Sequence, residues 1–306
     1  MEPRIWLIGG PTASGKTAIS LRLAREIDGE IVNADSIQLY GDLAVLSARP
    51  TPEEAAQAPH HLFGVADGAE AWSVGRWQRA ALPIIADIRS RGKSPILVGG
   101  TGLYFRSLTH GLAEIPTATP ETRAAAAAEF ETLGEIAFRD RLAKVDPAAA
   151  ARIAPGDRQR LVRAWEVYLT AGQSLSALQA QTAAPLCADA WRGVAIDPPR
   201  EALYARCDAR LAAMIEAGAA DEVSALLARG LDPDLPVMKA LGLAEIAAWQ
   251  AGAMSLEEAL AAARQATRRY AKRQATWFRN QTSDWPRITA ADPEAQWGQF
   301  LALSAP

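Results

Sequence analysis

Hydrophobic and polar positions along this 306-residue chain fall into three textures, and their order predicts the architecture. The first is a set of short apolar runs at residues 5–8, 29–33, 96–98 and 191–197, each bounded by glycine or a polar cluster. Runs of this length without alternation mark strands buried on both faces, as in a parallel sheet. The second is helical periodicity between those runs, over 18–24, 74–92 and 200–217, the second of these closing on Arg91-Gly-Lys93. Strands alternating with helices predict an α/β fold with three layers. Residues 41–75 read as loop and short helix, because Pro50, Pro52 and Pro59 interrupt any long element. The third texture begins near Gly111, where alanine-rich amphipathic segments at 122–130, 133–145 and 148–153, and a helix opened by Asp157 that runs to Ala171, replace the strands. They predict an all-helical insertion. The chain therefore divides into a first core part (1–110), the insertion (111–190), a second core part (191–290) that ends in a basic helix, and a C-terminal tail (291–306).

Composition changes this picture little. A hydrophobic content of 49%, 22% charged residues and a net charge of -3 describe a globular chain without a global nucleic-acid signature, so any basic surface must be local. No apolar run approaches the length that spans a bilayer, and the Met-Glu-Pro-Arg4 start leaves no room for a signal peptide, so no membrane partner and a cytoplasmic location are expected. A monomer is the default expectation, on which the sequence itself carries no signal. Cys187 and Cys207 stand apart without a C-x-x-C partner, which argues against a zinc site or disulfide framework. His60 and His61 read as structural.

The candidate chemistry starts where the first strand ends. Gly10-Pro-Thr-Ala-Ser-Gly-Lys-Thr17 matches G-x-x-x-x-G-K-[ST], in which small residues let backbone N–H groups curl around phosphate and a helix N-terminus adds its positive end. Gly10, Pro11, Thr12, Ala13, Ser14, Gly15, Lys16 and Thr17 are thus the expected phosphate binders, Lys16 reaching the outer phosphate and the Thr17 hydroxyl holding Mg2+. The fold class is α/β, with a P-loop NTPase-like three-layer core. Asp35, after the second strand, is delivered to the same sheet edge and suits a general base or a group behind the magnesium ion; a turn cap is the alternative. Gly99-Gly-Thr-Gly102 ends the next strand and places Thr101 toward phosphates or substrate, or as a helix cap, while its glycines signal close backbone approach. Arg158, Arg160 and Arg163 suit either a phosphate backbone or a solvated face. Between Arg264 and Arg279 stand six basic residues and no acidic one, with Tyr270 and Trp277 on the other half of the helix; in an acidic protein this favours a polyanion over a solvated face.

In order and spacing, the motifs Gly9 to Thr17, Asn33-Ala-Asp-Ser-Ile-Gln-Leu-Tyr40, Pro59-His-His-Leu62, Leu97-Val-Gly-Gly-Thr-Gly-Leu-Tyr104, Asp157-Arg-Gln-Arg-Leu161 and Lys272-Arg-Gln-Ala-Thr-Trp-Phe-Arg279 resemble the tRNA dimethylallyltransferases. The resemblance implies transfer of a dimethylallyl group from dimethylallyl diphosphate to N6 of the adenosine 3′-adjacent to the anticodon, with diphosphate released. It implies catalytic roles for Asp35, Thr101 and Lys16, and Arg210 as a further diphosphate ligand. It implies contacts to the tRNA anticodon stem-loop from Asp35, Ser36, Ile37, Gln38, Thr101, Arg123, Gln159, Arg160, Arg163, Lys239, Lys272, Arg273, Gln274 and Arg279. The chain departs from the family at Gly41, where a basic residue and its RNA contact are lost, and at Leu46-Ser-Ala-Arg-Pro50, where Arg49 keeps the charge. A small-molecule kinase using ATP, or a prenyltransferase acting on free adenine nucleotides, would leave the insertion and the basic helix without a role. A nucleotide-gated RNA-binding module would leave Asp35 and Thr101 without one.

Overall fold

The computed structural model describes residues 4–304, so the expected start at Met1 and the last two residues of the expected tail lie outside it. The chain forms two compact units. One runs through Ser107 and resumes at Leu186; the other is Leu108–Pro185. In chain order the first unit opens with β1 (Ile5–Gly9), α1 (Lys16–Glu26), β2 (Gly29–Asn33), α2 (Pro52–Ala55), β3 (His60–His61), α3 (Val74–Ser90), β4 (Ser94–Gly99) and α4 (Gly102–Thr109). The second unit follows with α5 (Pro120–Ala143), α6 (Pro147–Arg152), α7 (Arg158–Ala171) and α8 (Leu175–Ala180). The first unit then closes with β5 (Trp191–Ile196), α9 (Arg200–Glu216), α10 (Ala219–Ala228), α11 (Leu243–Gln250), α12 (Leu256–Gln281), β6 (Arg287–Ile288) and α13 (Pro293–Ser304).

The six strands make one sheet in the order β3-β2-β4-β1-β5-β6, and every pairing is parallel. Parallel pairing sends all strand C-termini to one edge. Connections leave β1 toward β2 on one side, while β5 lies on its other side, so a topological switch point falls at β1, where open α/β sheets bind ligands. Trp6, Ile8, Ile31, Ile96, Val98, Val194 and Ile196 share a core cluster with Ile19, Leu21 and Leu23 of α1. Residues of opposite parity such as Leu7 and Leu97 are also fully buried, which accounts for the continuous apolar runs.

Helix α12 begins with a capping box, in which Ser255 accepts from the Glu258 backbone and the Glu258 side chain reaches back to the Ser255 N–H. In the second unit, Thr119, Asp146, Asp157 and Ser174 each cap a helix with a side-chain oxygen, which is why its short elements start where they do. Gly134 (φ 70°, ψ 168°) breaks α5 at the start of the second segment expected there. Phe138, Leu142, Leu161 and Trp165 form this unit's own core.

Two expectations change. The 41–75 segment contains an edge strand, β3, whose two residues are too short for a periodic signal. The expected tail is integral to the core: α13 places Trp297 and Phe300 in the cluster around Trp6, with the Trp6 and Phe300 rings 5.3 Å apart, while β6, in the expected second core part, pairs with β5. Trp297 and Phe300, three apart on one helical face, carry that burial. Phe300→Ala is expected to cost about 3–5 kcal/mol in urea unfolding, whereas Leu303→Ala, on the exposed side of the same helix, should change stability by less than about 0.5 kcal/mol.

Candidate active site

The glycine-rich loop runs from the end of β1 into α1. Gly15 stands at φ 104°, a backbone region that side chains rarely adopt, and a Cβ there would overlap Oε1 of Gln296. Lys16 Nζ donates to Pro11 O at 2.6 Å, which folds the ammonium over the loop. Burial pushes its pKa down to about 8, with Asp35 partly offsetting and Arg210 adding to that shift. Arg210 donates to Thr12 Oγ1, and burial likewise lowers its pKa. Two desolvated cations therefore converge on the loop that the sequence marks for phosphate. From behind, Gln296 donates to Ser14 O at 3.0 Å and Arg206 to the same oxygen at 3.3 Å.

Asp35 follows β2 on the same edge. Its Oδ1 accepts from Ile37 N at 3.0 Å, an Asx turn that fixes the carboxylate. Asn33 holds the turn from below: its Oδ1 accepts from Asp35 N at 2.8 Å, and its Nδ2 donates to Asp35 O and Leu62 O, each at 2.9 Å. The charge of Asp35 bears on Lys16, Arg210 and Tyr270, which places it at the meeting point of donor loop and cavity.

Thr101 follows β4. Its Oγ1 accepts from Ser36 N at 3.0 Å and donates to Ser36 Oγ at 3.4 Å, so its hydroxyl ties the β4 turn to the Asp35 turn. The close approach expected of the neighbouring glycines is to protein. A Cβ at Gly99 would overlap the Ala34 carbonyl, one at Gly100 the Gln274 amide, and one at Gly102 the Trp277 ring.

A cavity of about 370 Å³ opens between these elements. Thr12, Asp35, Arg210 and Arg273 give it a polar side; Leu46, Leu211, Met214, Leu241 and Tyr270 give it an apolar one. Ser36, Ile37 and Lys239 also line it. The lining combines cations, a carboxylate and an apolar surface, a set that suits an anion joined to an apolar group. Among the described residues no group of three or more His, Cys, Asp or Glu side chains could hold a metal, and Thr17, in the first turn of α1, is exposed beside the loop.

The residues expected to face RNA divide by environment. Lys272 and Arg273 are exposed on α12, Arg273 lying over the Tyr270 ring. Arg279, exposed as well, makes a two-point ion pair with Asp197 at 2.8 and 2.9 Å, and Arg268 pairs with Asp208. Gln38 donates to Ser47 O and Ala48 O, which shapes the cavity wall. Gln274 is buried and engaged at both ends of its amide. Tyr270 and Trp277, expected to anchor the helix, are half-buried, and the fully inward stripe is Ala263, Thr267, Ala271, Gln274 and Phe278. In the second unit Arg123, Gln159, Arg160 and Arg163 are all exposed, with Arg160 paired to Asp157 and Arg163 to Glu166, each at 3.0 Å. Sequence reasoning missed Asn33 and Gln296 as supports; Asn33 had a signal in its place just before the Asp35 cluster, whereas Gln296 had none.

A parallel α/β sheet that gathers a phosphate-type loop, a carboxylate and an amphipathic cavity at one edge defines a group-transfer enzyme acting on a phosphorylated substrate. Comparison with known proteins specifies the family. The IPP transferase family model matches residues 38–281, and an isopentenyl transferase model matches residues 3–61. The tRNA dimethylallyltransferase of Phenylobacterium zucineum is 66% identical over 302 residues, covering 99% of this chain and 98% of that protein. That of a Caulobacter species is 58% identical, covering 95% and 94%. Among solved structures, the tRNA isopentenylpyrophosphate transferase of Bacillus halodurans superposes with a TM-score of 0.69 at 34% identity, over 98% of this chain and 96% of that one. A eukaryotic dimethylallyltransferase acting on tRNA superposes with a TM-score of 0.81 at 27% identity, over 96% of this chain and 75% of that one. The chain belongs to the tRNA dimethylallyltransferase (IPP transferase) family.

Thr101→Val removes the acceptor of the Ser36 N–H and should lower stability by about 1–3 kcal/mol, while Thr101→Ser should retain most of it; thermal unfolding of the two variants side by side checks this.

Proposed function

We propose that this protein transfers the dimethylallyl group of dimethylallyl diphosphate to N6 of the adenosine 3′-adjacent to the anticodon of tRNA, releasing diphosphate. The observation that carries the reading is a cavity lined by Arg210 and Asp35 together with Leu46, Leu211, Met214 and Leu241, beside the loop that carries Lys16, whose ammonium feels the charges of both. Membership of the family supports the acceptor and the donor alike.

In this reading the core is a P-loop NTPase-like fold put to a different use. The diphosphate occupies the loop from Gly10 to Thr17, and its charge grows as the allylic C–O bond breaks. Lys16 and Arg210, partly shielded from solvent and held at the loop, neutralise that charge with little reorganisation, which makes them the main source of transition-state stabilisation. Thr17 would hold Mg2+, an ion that takes few protein ligands and keeps water and phosphate oxygens; it would supply further charge to the leaving group. The dimethylallyl carbons lie against the apolar wall. Asp35, fixed through Oδ1, presents its other oxygen to the exocyclic amine, which becomes acidic as the C–N bond forms, and takes the proton. The adenine leaves its stack to enter the cavity, at a cost of a few kcal/mol. Exposed Lys272 and Arg273 engage the loop phosphates, with Arg123, Gln159, Arg160 and Arg163 of the second unit as further contacts. No helix among the described residues is long and apolar enough to cross a membrane, and we place the enzyme in the cytoplasm, as a monomer.

The test is incubation with magnesium, unmodified tRNA and radiolabelled dimethylallyl diphosphate, then nuclease digestion and nucleoside mass analysis. Label on the adenosine beside the anticodon is expected; label on no RNA, with ATP consumed instead when a small metabolite is added, would overturn the reading. Asp35→Asn should lower kcat by at least about a hundredfold and leave pyrophosphate binding intact. Lys272→Ala should reduce the slope of log affinity for tRNA against log salt by about 1 unit, read from filter binding at several salt concentrations.

A further inference from the structure

Helix α12 turns a cationic side outward and one amide inward. Gln274 is only 6% exposed, and its two ends reach backbone atoms of two different loops. Its Oε1 accepts from Thr12 N at 2.8 Å, in the loop after β1. Its Nε2 donates to Gly100 O at 2.9 Å, in the turn after β4. Gly100 lacks the Cβ that would overlap this amide, so the turn is shaped to admit it. A buried amide is tolerated because both ends are satisfied; its removal would leave the buried Gly100 C=O and the part-buried Thr12 N–H without this partner. Thr12 is held a second time, by Arg210 of α9 at its Oγ1. Two helices thus grip one residue of the phosphate loop, one by its backbone and one by its side chain.

From this geometry we infer that Gln274 is a positioning residue for the phosphate loop and not a contact to RNA. It sets Thr12, and through Thr12 the location of Arg210, against the turn that carries Thr101. The donor site therefore depends on the seating of α12, although Gln274 itself touches neither substrate. The inference rests on the proposed transfer reaction only for the identity of the donor; its central measurement requires no turnover.

Gln274→Met keeps the length and apolar volume of the side chain and removes both hydrogen bonds. Calorimetric titration with magnesium pyrophosphate, without RNA, is expected to show about a tenfold loss of affinity. The KM for dimethylallyl diphosphate should rise by a similar factor, and the Kd for tRNA in filter binding should stay within about twofold. Gly100→Ala, which displaces the amide while leaving it chemically intact, should give the same donor-specific pattern and serves as the second variant should the first fail to fold. Lost tRNA affinity with unchanged pyrophosphate affinity would make Gln274 an RNA contact and overturn the inference. A lowered unfolding midpoint with both affinities unchanged would overturn it too, by leaving the amide a packing role alone. A wild-type protein that binds pyrophosphate yet labels no tRNA would instead overturn the transfer reaction, and leave the role of Gln274 to the titration.

Discussion

Helix α12 lies against bare backbone. Gln274, Trp277 and Phe278, at i, i+3 and i+4, share one face and descend onto Gly100 in the turn after β4, Gly102 at the start of α4 and Gly9 at the end of the adjacent β1. Any Cβ at these glycines would overlap the descending side chains, so the approach of helix to sheet edge is set by three missing methyl groups. The same contact locates both working surfaces. Outward, it leaves Lys272 and Arg273 exposed, with Arg273 lining the cavity; inward, it holds the phosphate loop through Thr12.

Electrostatics divide into an interior and a surface problem. Inside, Lys16 and Arg210 are both deprived of solvent and repel one another, with Asp35 giving partial relief. Such a site is short of negative charge, and an anion supplies what burial has taken away. On the surface, the basic run of α12 is smaller than its count suggests. Arg268 and Arg279 are taken up by Asp208 and Asp197, pairs that contribute little stability at exposed positions but hold the helix against its neighbours. Exposed positive charge on α12 lies in Arg269, Lys272 and Arg273, the last of which lines the cavity, which reconciles an acidic protein with an RNA substrate.

Elements governed by neighbours in sequence were legible in the chain itself. The glycine-rich loop, the strands with two buried faces, the helical insertion and the turn at Asp35 follow from residue type and spacing over a few positions, because backbone preference and hydrophobic period act at that range. The family motifs added the order of these elements and with it the reaction. Only the tertiary structure decided the fate of polar side chains whose partners are distant. Gln274 reaches Gly100 across 174 positions and Thr12 across 262, and Gln296 reaches Ser14 across 282. The resemblance placed Gln274 among RNA-facing residues, and the last residues read as a tail. The fold buries the Gln274 amide between two loops and packs α13 into the core, since a hydrogen bond or a core contact depends on which surfaces folding brings together, and neither leaves a periodic trace in the sequence.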